Sequence, residues 1–511
     1  MVVRPAFLVF FSGLTTTCFL LNRQISLKSL GIGFPISGRP PTPVSPLQNY
    51  IFHINYRPIM GYVLANHQKY ALAMMDANDS LGIFYAPGCG KTAIALSWAS
   101  KALEEGRIRD VLVICPASLV GNWESSILKM KEFEGFDDKA VARLKSHTLI
   151  RSFQKTYRTT KTPIAHKDGA VTYRRTINLR EDVDKAWGAI IIDESHSIGS
   201  HSSVQTKACL ALARRAKYRY ILSGTPVHGG GGAEDFSKLY GQIKFLEPDI
   251  WPNWTQFCNR YVTFFDRWHN PQEYAVESCR ALMRNHAIVA RLEDCYDMPP
   301  YTDTEILCSL AESKVYKDVA SGLIDRYDLT IDNNAGQYIK LLQICSGSLK
   351  NDNGIMNLKC SKDDALLDIL NGTDDKVVVF CNFRASIDRA EQVCKKAGRK
   401  VVVFDGRSKG ETWREFQNGK ADALVAQYQS GGVGIDLFSS ATMVLFEPCL
   451  SALLMEQARA RIMRKGQTRS CRYIMLCTPK TIERKVWTTV RSGVDVTNEM
   501  LAKWAHETPF D

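Results

Sequence analysis

Three short stretches carry residues that together could handle a triphosphate. In YAPGCGKTAIAL (85–96), Gly88 and Gly90 permit a tight turn, and Lys91 and Thr92 open a helix. The amides of such a turn, at Gly88, Cys89 and Gly90, and the helix N-terminus behind it face an anion. Lys91 then reaches the β and γ oxygens, and the Thr92 hydroxyl is suited to Mg2+. The general phosphate-loop pattern asks for glycine five residues before Gly90, where this chain has Tyr85. About a hundred residues on, WGAIIIDESH (187–196) sets Asp193 and Glu194 at the end of an apolar strand. Asp193 suits Mg2+, and Glu194 suits the orientation and deprotonation of an attacking water. In QARARIMRKGQ (457–467), Arg461 and Arg464 are three residues apart. As a helix this stretch would aim both at one γ-phosphate, where arginine stabilises the charge of transfer. The plain alternative for that stretch is a solvated basic helix.

Such groups need rigid strand ends to hold them. From about Tyr50 onward, short β-branched runs alternate with longer helical patterns, which predicts parallel sheets with crossover helices, an α/β fold. The alternation occurs twice. Residues 81–86, 111–116, 147–150, 189–193 and 220–224 are candidate strands of one sheet; 377–381, 401–404, 423–427, 443–447 and 473–477 are candidates for a second. Between them, residues 236–358 are helix-like and rich in aromatics, among them Trp251, Trp254, Phe257 and Tyr261. They are read as a helical insertion joining two tandem domains, 47–235 and 359–490. Residues 156–176 read as a basic surface loop or hairpin. Residues 1–46 combine an apolar run with a Pro/Gly/Ser-rich piece and are read as a tail outside the fold, not a working signal peptide, and 491–511 as a C-terminal tail.

Length and composition agree with this plan. The chain has 511 residues, more than one ordinary core, with 45% hydrophobic and 23% charged residues, the balance of a globular protein. A net charge of +12 fits a polyanionic partner if the excess gathers on one face. The 15 cysteines show no zinc spacing and no disulfide framework. Reduced thiols in an intracellular setting are the simpler reading.

The order of motifs resembles the Swi/Snf branch of the superfamily-two helicases over about residues 60–490. His67-Gln68 in NHQKYALAM resembles the block that reads adenine, which implies that Gln68 contacts the base. VICPASLVGNW (113–123) resembles the block ending in Trp123. TLIRSF (148–153) resembles the Ser-Tyr block, with Phe153 in place of Tyr and Ser152 as a candidate nucleic-acid contact. DESH (193–196) is a variant acidic box with Ser195 where Ala is usual.

SGTP (223–226) resembles the block coupling hydrolysis to motion, through Ser223 and Thr225, and LLQICSG (341–347) the helical block joining the halves. VVVFCNFRASID (377–388), with Asn382 and Arg384, and FDGR (404–407) resemble blocks along the nucleic-acid strand. In QYQSGGVGIDL (427–437), Ser430, Gly431 and Gly432 offer a turn to a phosphate backbone, and Gly434 and Asp436 are nucleotide-site candidates. Gln457 precedes the two arginines as a coupling candidate. Ala460 stands where Gly or Asp is frequent, and the stretch after FDGR is short.

The resemblance implies two tandem RecA-like P-loop domains, ATP with Mg2+, and ATP-driven translocation on DNA, duplex favoured over RNA or single strands. A strand-separating helicase and a catalytically silent ATP-dependent clamp are the rival expectations.

Overall fold

The structure is a computed structural model that describes residues 63–132, 136–165, 171–227, 234–331, 334–408, 412–431, 435–497, 500–501 and 504. The tail expected over 1–46, the C-terminal tail past 504, and Gly432 and Gly434 lie outside the described residues.

The first sheet has six parallel strands. They are β1 (Ser80–Tyr85), β2 (Val111–Cys115), β3 (Thr148–Ser152), β4 (Trp187–Asp193), β5 (Ala216–Leu222) and β6 (Ala287–Ala290), in the spatial order β6-β1-β5-β4-β2-β3. The second sheet repeats the design with β7 (Tyr301–Leu307), β8 (Val377–Cys381), β9 (Val401–Phe404), β10 (Ala423–Gln427), β11 (Thr442–Leu445) and β12 (Cys471–Cys477), in the order β7-β12-β11-β8-β10-β9. The helices that matter below are α1 (Asn66–Ala77), α2 (Lys91–Glu104), α3 (Val120–Lys129), α4 (Leu239–Leu246), α5 (Leu292–Cys295) and α6 (Ala452–Arg459).

Buried runs such as VLVIC and VVVFC are apolar at every position because helices cover both faces of each sheet. Alternate residues serve opposite faces. In β8, Val378 and Phe380 pack in one core cluster, and Val377, Val379 and Cys381 in another.

All ten expected strands form within a few residues. The stretch 236–358 departs from a purely helical insertion, because it supplies an edge strand to each sheet, β6 to the first and β7 to the second. β6 is four residues long and buried only at Ala287 and Ile288, and β7 is exposed or half-buried throughout, so both lack the apolar run that marks a central strand. Its aromatics Trp251, Phe257 and Tyr261 pack into the core of the first half. The basic segment 156–176 falls in an antiparallel hairpin, Tyr157–Ala165 with Val171–Leu179. Among the described residues, no helix is long and apolar enough to cross a membrane.

A charged lock sits inside the second half. Lys362 and Glu483 form an ion pair at 1% and 0% side-chain exposure. Lys362 also donates to the Phe446 carbonyl at 3.0 Å, and Glu483 accepts the Thr478 amide at 2.7 Å. Lys362→Met strands a buried carboxylate, so the expected loss is about 3–5 kcal/mol, read by denaturant unfolding. The double variant Lys362→Met/Glu483→Leu removes both charges and is expected to recover most of it.

Candidate functional site

The chemistry gathers where strands end, at the carboxyl edge of the sheets. After β1 the chain turns through Gly88 (φ 92°) and Gly90 (φ 78°), left-handed conformations that glycine adopts without a Cβ clash. Gly90 caps α2, which begins at Lys91, with Thr92 in its first turn. A Cβ on Gly90 would overlap Gln68 Nε2. Gln68 is buried, donates to the Cys89 carbonyl at 3.3 Å and accepts the Ala65 amide at 3.0 Å. His67 Nε2 donates to the same carbonyl at 3.0 Å. The glutamine expected at the base is thus engaged with the loop backbone.

The Lys91 ammonium donates to the Tyr85 carbonyl at 2.7 Å and the Ala86 carbonyl at 3.4 Å. Burial holds it below the usual amine range, and Glu194 and Asp193 oppose that shift. Asp193 closes β4. Burial first and Glu194 second push its carboxyl up to about 6, while the Trp123 indole and Lys91 pull it back. Trp123, fully buried on α3, donates from Nε1 to Asp193 Oδ2 at 2.9 Å, and the Glu194 amide donates to Oδ1 at 2.9 Å. Both carboxylate oxygens are therefore oriented. Glu194 takes a left-handed backbone (φ 51°), a strained turn for a residue with a side chain.

Two links tie this acidic turn to the loop after β5. His196 Nδ1 lies 3.2 Å from Ser223 Oγ and 3.4 Å from Glu194 Oε2, and Ser223 Oγ accepts the Thr225 amide at 3.1 Å. Ser195, the variant position, donates to Gln242 Oε1 on α4 at 2.7 Å, and Gln242 Nε2 donates to the Pro226 carbonyl at 2.7 Å. Ser195 and Gln242 are fully buried, and Thr225 Oγ1 is buried without a partner.

The second half faces this loop with arginines, though not on a helix. α6 ends at Arg459, and the chain then turns through 460–466, which corrects the expectation of a shared helical face. One carbonyl gathers the pair instead. Arg461 Nη1 and Arg464 Nη1 donate to the Ile435 oxygen at 3.4 and 3.1 Å, Arg461 Nε donates to Gln457 O at 3.0 Å, and Arg464 pairs with Asp436. Burial lowers both guanidinium groups to about 10, opposed by Glu194 at Arg461 and by Cys89 at Arg464. The Arg464 Nε lies 3.7 Å from where a Cβ of Gly88 would stand, so it already rests on the phosphate loop.

Together these residues line a cleft of about 310 Å³: Gly88, Gly90, Lys91, Thr92, Asp193 and Glu194 from one half, and Asp436, Gln457, Arg461 and Arg464 from the other. Leu119 and Lys465, which fall inside the motif blocks without being singled out, and Phe438, just past one, also line it. The nucleic-acid candidates lie elsewhere on strand ends. Ser152 is buried at the end of β3; the Asn382 amide donates to Glu447 at 2.8 Å; Arg384 is exposed; Ser430 is half-buried; Gly431 is packed against Phe380. Gln427 Nε2 donates to the Asn382 carbonyl at 3.2 Å, joining the ends of β8 and β10. Glu447, fully buried, was not legible as a site residue; it also accepts the Phe383 amide and the Ser386 hydroxyl, each at 2.8 Å.

Residues 67–359 match the SNF2-related domain, and residues 361–466 match the helicase conserved C-terminal domain. The chain belongs to the SNF2-related family. Its members similar to it include the DNA repair and recombination protein RDH54 of Saccharomyces cerevisiae, 23% identical over 433 residues, covering 75% of this chain and 43% of that protein. Another is the DNA repair and recombination protein RAD54-like of Drosophila grimshawi, 22% identical over 507 residues, covering 85% of this chain and 62% of that protein. This SNF2-related chain thus spans less than two thirds of either relative. Among solved structures, the Sulfolobus solfataricus SWI2/SNF2 ATPase core in complex with dsDNA is 19% identical, covers 86% of this chain and 98% of that one, and has a TM-score of 0.37.

Trp123 is the residue whose role the motif order did not disclose. A hydrogen bond to a charged group is worth about 1.5–3 kcal/mol. Trp123→Phe keeps an aromatic ring and removes the donor, so turnover is expected to fall by about 10-fold or more, and Tm to fall by a few degrees because the buried bond and part of the indole packing are lost with it. Because the lost bond favours the carboxylate, the Asp193 pKa rises and the acid limb of kcat/KM moves to higher pH. A pH–rate profile beside a thermal melt checks both.

Proposed function

We propose that this chain is an ATP-driven motor that hydrolyses ATP in the cleft between its halves and translocates on DNA, with duplex as the preferred track. The observation that carries this reading is the cleft itself, where a glycine-rich loop and an acidic pair from one half meet two arginines, Arg461 buried and Arg464 half-buried, from the other. The family membership and the DNA-repair names of the relatives support the choice of DNA.

The residues present fit Mg2+. Two adjacent carboxylates, Asp193 buried and Glu194 half-buried, with Asp193 pushed up to about 6 by burial and by Glu194, favour a cation beside them. Thr92 and Asp193 would hold the ion, which when bound neutralises charge on the β and γ oxygens. Lys91 turns from the Tyr85 carbonyl to the phosphates. Glu194 orients a water and takes its proton. Arg464 and Arg461 meet the charge on the γ-phosphoryl oxygens, so hydrolysis waits on closure of the halves. Through His196, Ser223 and Thr225, the state of the acidic turn passes to the loop after β5, and Asn382, Arg384, Ser430 and Gly431 grip the phosphate backbone. Such a grip is salt-sensitive and nearly independent of sequence.

ATPase turnover with duplex DNA, single strands and RNA, alongside Lys91→Ala, tests this. Stimulation by duplex DNA and loss in the variant are expected. No stimulation by any nucleic acid overturns the motor reading, preference for RNA redirects the track, and robust unwinding of a tailed duplex makes the protein a strand-separating helicase.

A further inference from the structure

The phosphate loop carries a thiol that the hydrolytic chemistry does not use. Cys89 stands between the two left-handed glycines and is fully buried; β1 and β6 are parallel neighbours, the Ala86 amide donates to the Ala290 carbonyl at 2.9 Å, and the loops that follow bring the Cys89 thiol into interaction with that of Cys295 at the end of α5. These sulfurs come from segments about two hundred residues apart in the chain. Their elements are packed together independently of the sulfurs: Leu292 Cδ1 lies 3.5 Å from where a Gly88 Cβ would stand, and the Tyr296 ring meets His67 edge-on at 4.9 Å. His67 in turn holds the Cys89 carbonyl. Cys295 is half-buried and borders an open hollow of about 490 Å³ lined by residues 293–298. One sulfur of the pair is thus reachable by a small oxidant while the other sits in the nucleotide loop. The Cys295 contact and the nearby Lys91 favour the Cys89 thiolate, while the same contact and burial keep the Cys295 proton in place.

We propose that Cys89 and Cys295 form a reversible, peroxide-driven disulfide that fastens the phosphate loop to α5 and blocks capture of a nucleotide triphosphate. Peroxide is the oxidant. The Cys295 proton passes along its contact to the Cys89 thiolate as the Cys295 sulfur attacks one peroxide oxygen and the O–O bond breaks, giving a Cys295 sulfenic acid and a hydroxide that takes up the proton Cys89 had shed to become one water. The Cys89 sulfur then attacks the Cys295 sulfur, the S–O bond breaks, and the oxygen leaves as a second water with the remaining thiol proton. Two thiols and one hydrogen peroxide become one disulfide and two waters, and a dithiol reductant reverses the change. The Cys89 amide, which donates to the Ala86 carbonyl at 3.3 Å, must re-aim for the loop to wrap a phosphate, and a covalent tether opposes that movement.

Blocking of capture rests on the ATP reading above; formation of the bond does not. The full chain is treated with hydrogen peroxide, mapped by mass spectrometry without reduction, and titrated with a fluorescent ATP analogue. The expected result is a linked Cys89–Cys295 peptide, at least 10-fold weaker binding, full recovery with dithiothreitol, and protection by preloaded ATP. Cys295→Ser is expected to bind as the untreated wild type does and to keep that affinity after peroxide. Absence of the linked peptide, undiminished binding by the linked protein, or equal peroxide sensitivity of Cys295→Ser each overturns the proposal. If the untreated chain binds no ATP analogue, the nucleotide reading fails instead, and the linked peptide still decides whether the bond forms.

Discussion

Glu194→Gln is expected to bind ATP with near wild-type affinity and to lose turnover by about 10²–10⁴-fold, the range for removing a general base. The substitution keeps size and one acceptor and removes the carboxylate proposed to take the proton from water. It also leaves the Asp193 carboxylate in a less negative field, because Glu194 is the second contributor to the rise of that group. Binding of the Mg2+ nucleotide therefore survives while chemistry stops. The contact of Glu194 Oε2 with His196 at 3.4 Å is weakened in the variant, so the signal to Ser223 is also dampened. Single-turnover ATP hydrolysis beside equilibrium binding separates the effects. A Glu194→Gln protein that still hydrolyses ATP within about 10-fold of wild type would place the base elsewhere.

Arg464→Ala is the second large effect, with a loss of about 10³-fold in turnover, the lower range for an arginine that stabilises the transferring phosphoryl group. Arg464 approaches the phosphate loop at Gly88 from the opposite half and is steered there by Asp436 and the Ile435 carbonyl. Arg464→Lys is expected to rescue little, since an ammonium cannot reproduce a planar two-pronged donor. Arg461 differs in kind. It is 6% exposed and donates to the Gln457 and Ile435 carbonyls, so Arg461→Ala should lower both turnover and Tm. Equal Tm losses in both variants, with equal residual activity, would erase the distinction. The assay is ATPase turnover with a thermal melt on each variant.

Much of this site is legible in the chain because its chemistry demands fixed residue types at fixed spacing. Gly88, Gly90, Lys91 and Thr92 must be consecutive to make a loop and a helix start, and Asp193-Glu194 must follow an apolar strand. Central strands are equally plain, since burial on both faces forces continuous β-branched runs. Edge strands β6 and β7 are hidden for the converse reason, being half-exposed and embedded in helical sequence. The helix expected through Arg461 and Arg464 was inferred from spacing. Local spacing carries no information on Ile435, the distant carbonyl that holds both groups in a turn.

The sequence by itself determined the two-sheet α/β plan, the phosphate loop, the acidic pair and the existence of a basic cluster in the second half, because each is a local pattern with a local physical cause. Only the tertiary structure decided that Trp123 orients Asp193, that Ser195 reaches Pro226 through Gln242, that Gln68 braces the Cys89 carbonyl, and that Cys89 meets Cys295. These are pairings between segments far apart in the chain, fixed by which strand ends fall side by side once the sheets are ordered, and strand order is set by packing rather than by any residue's own preference.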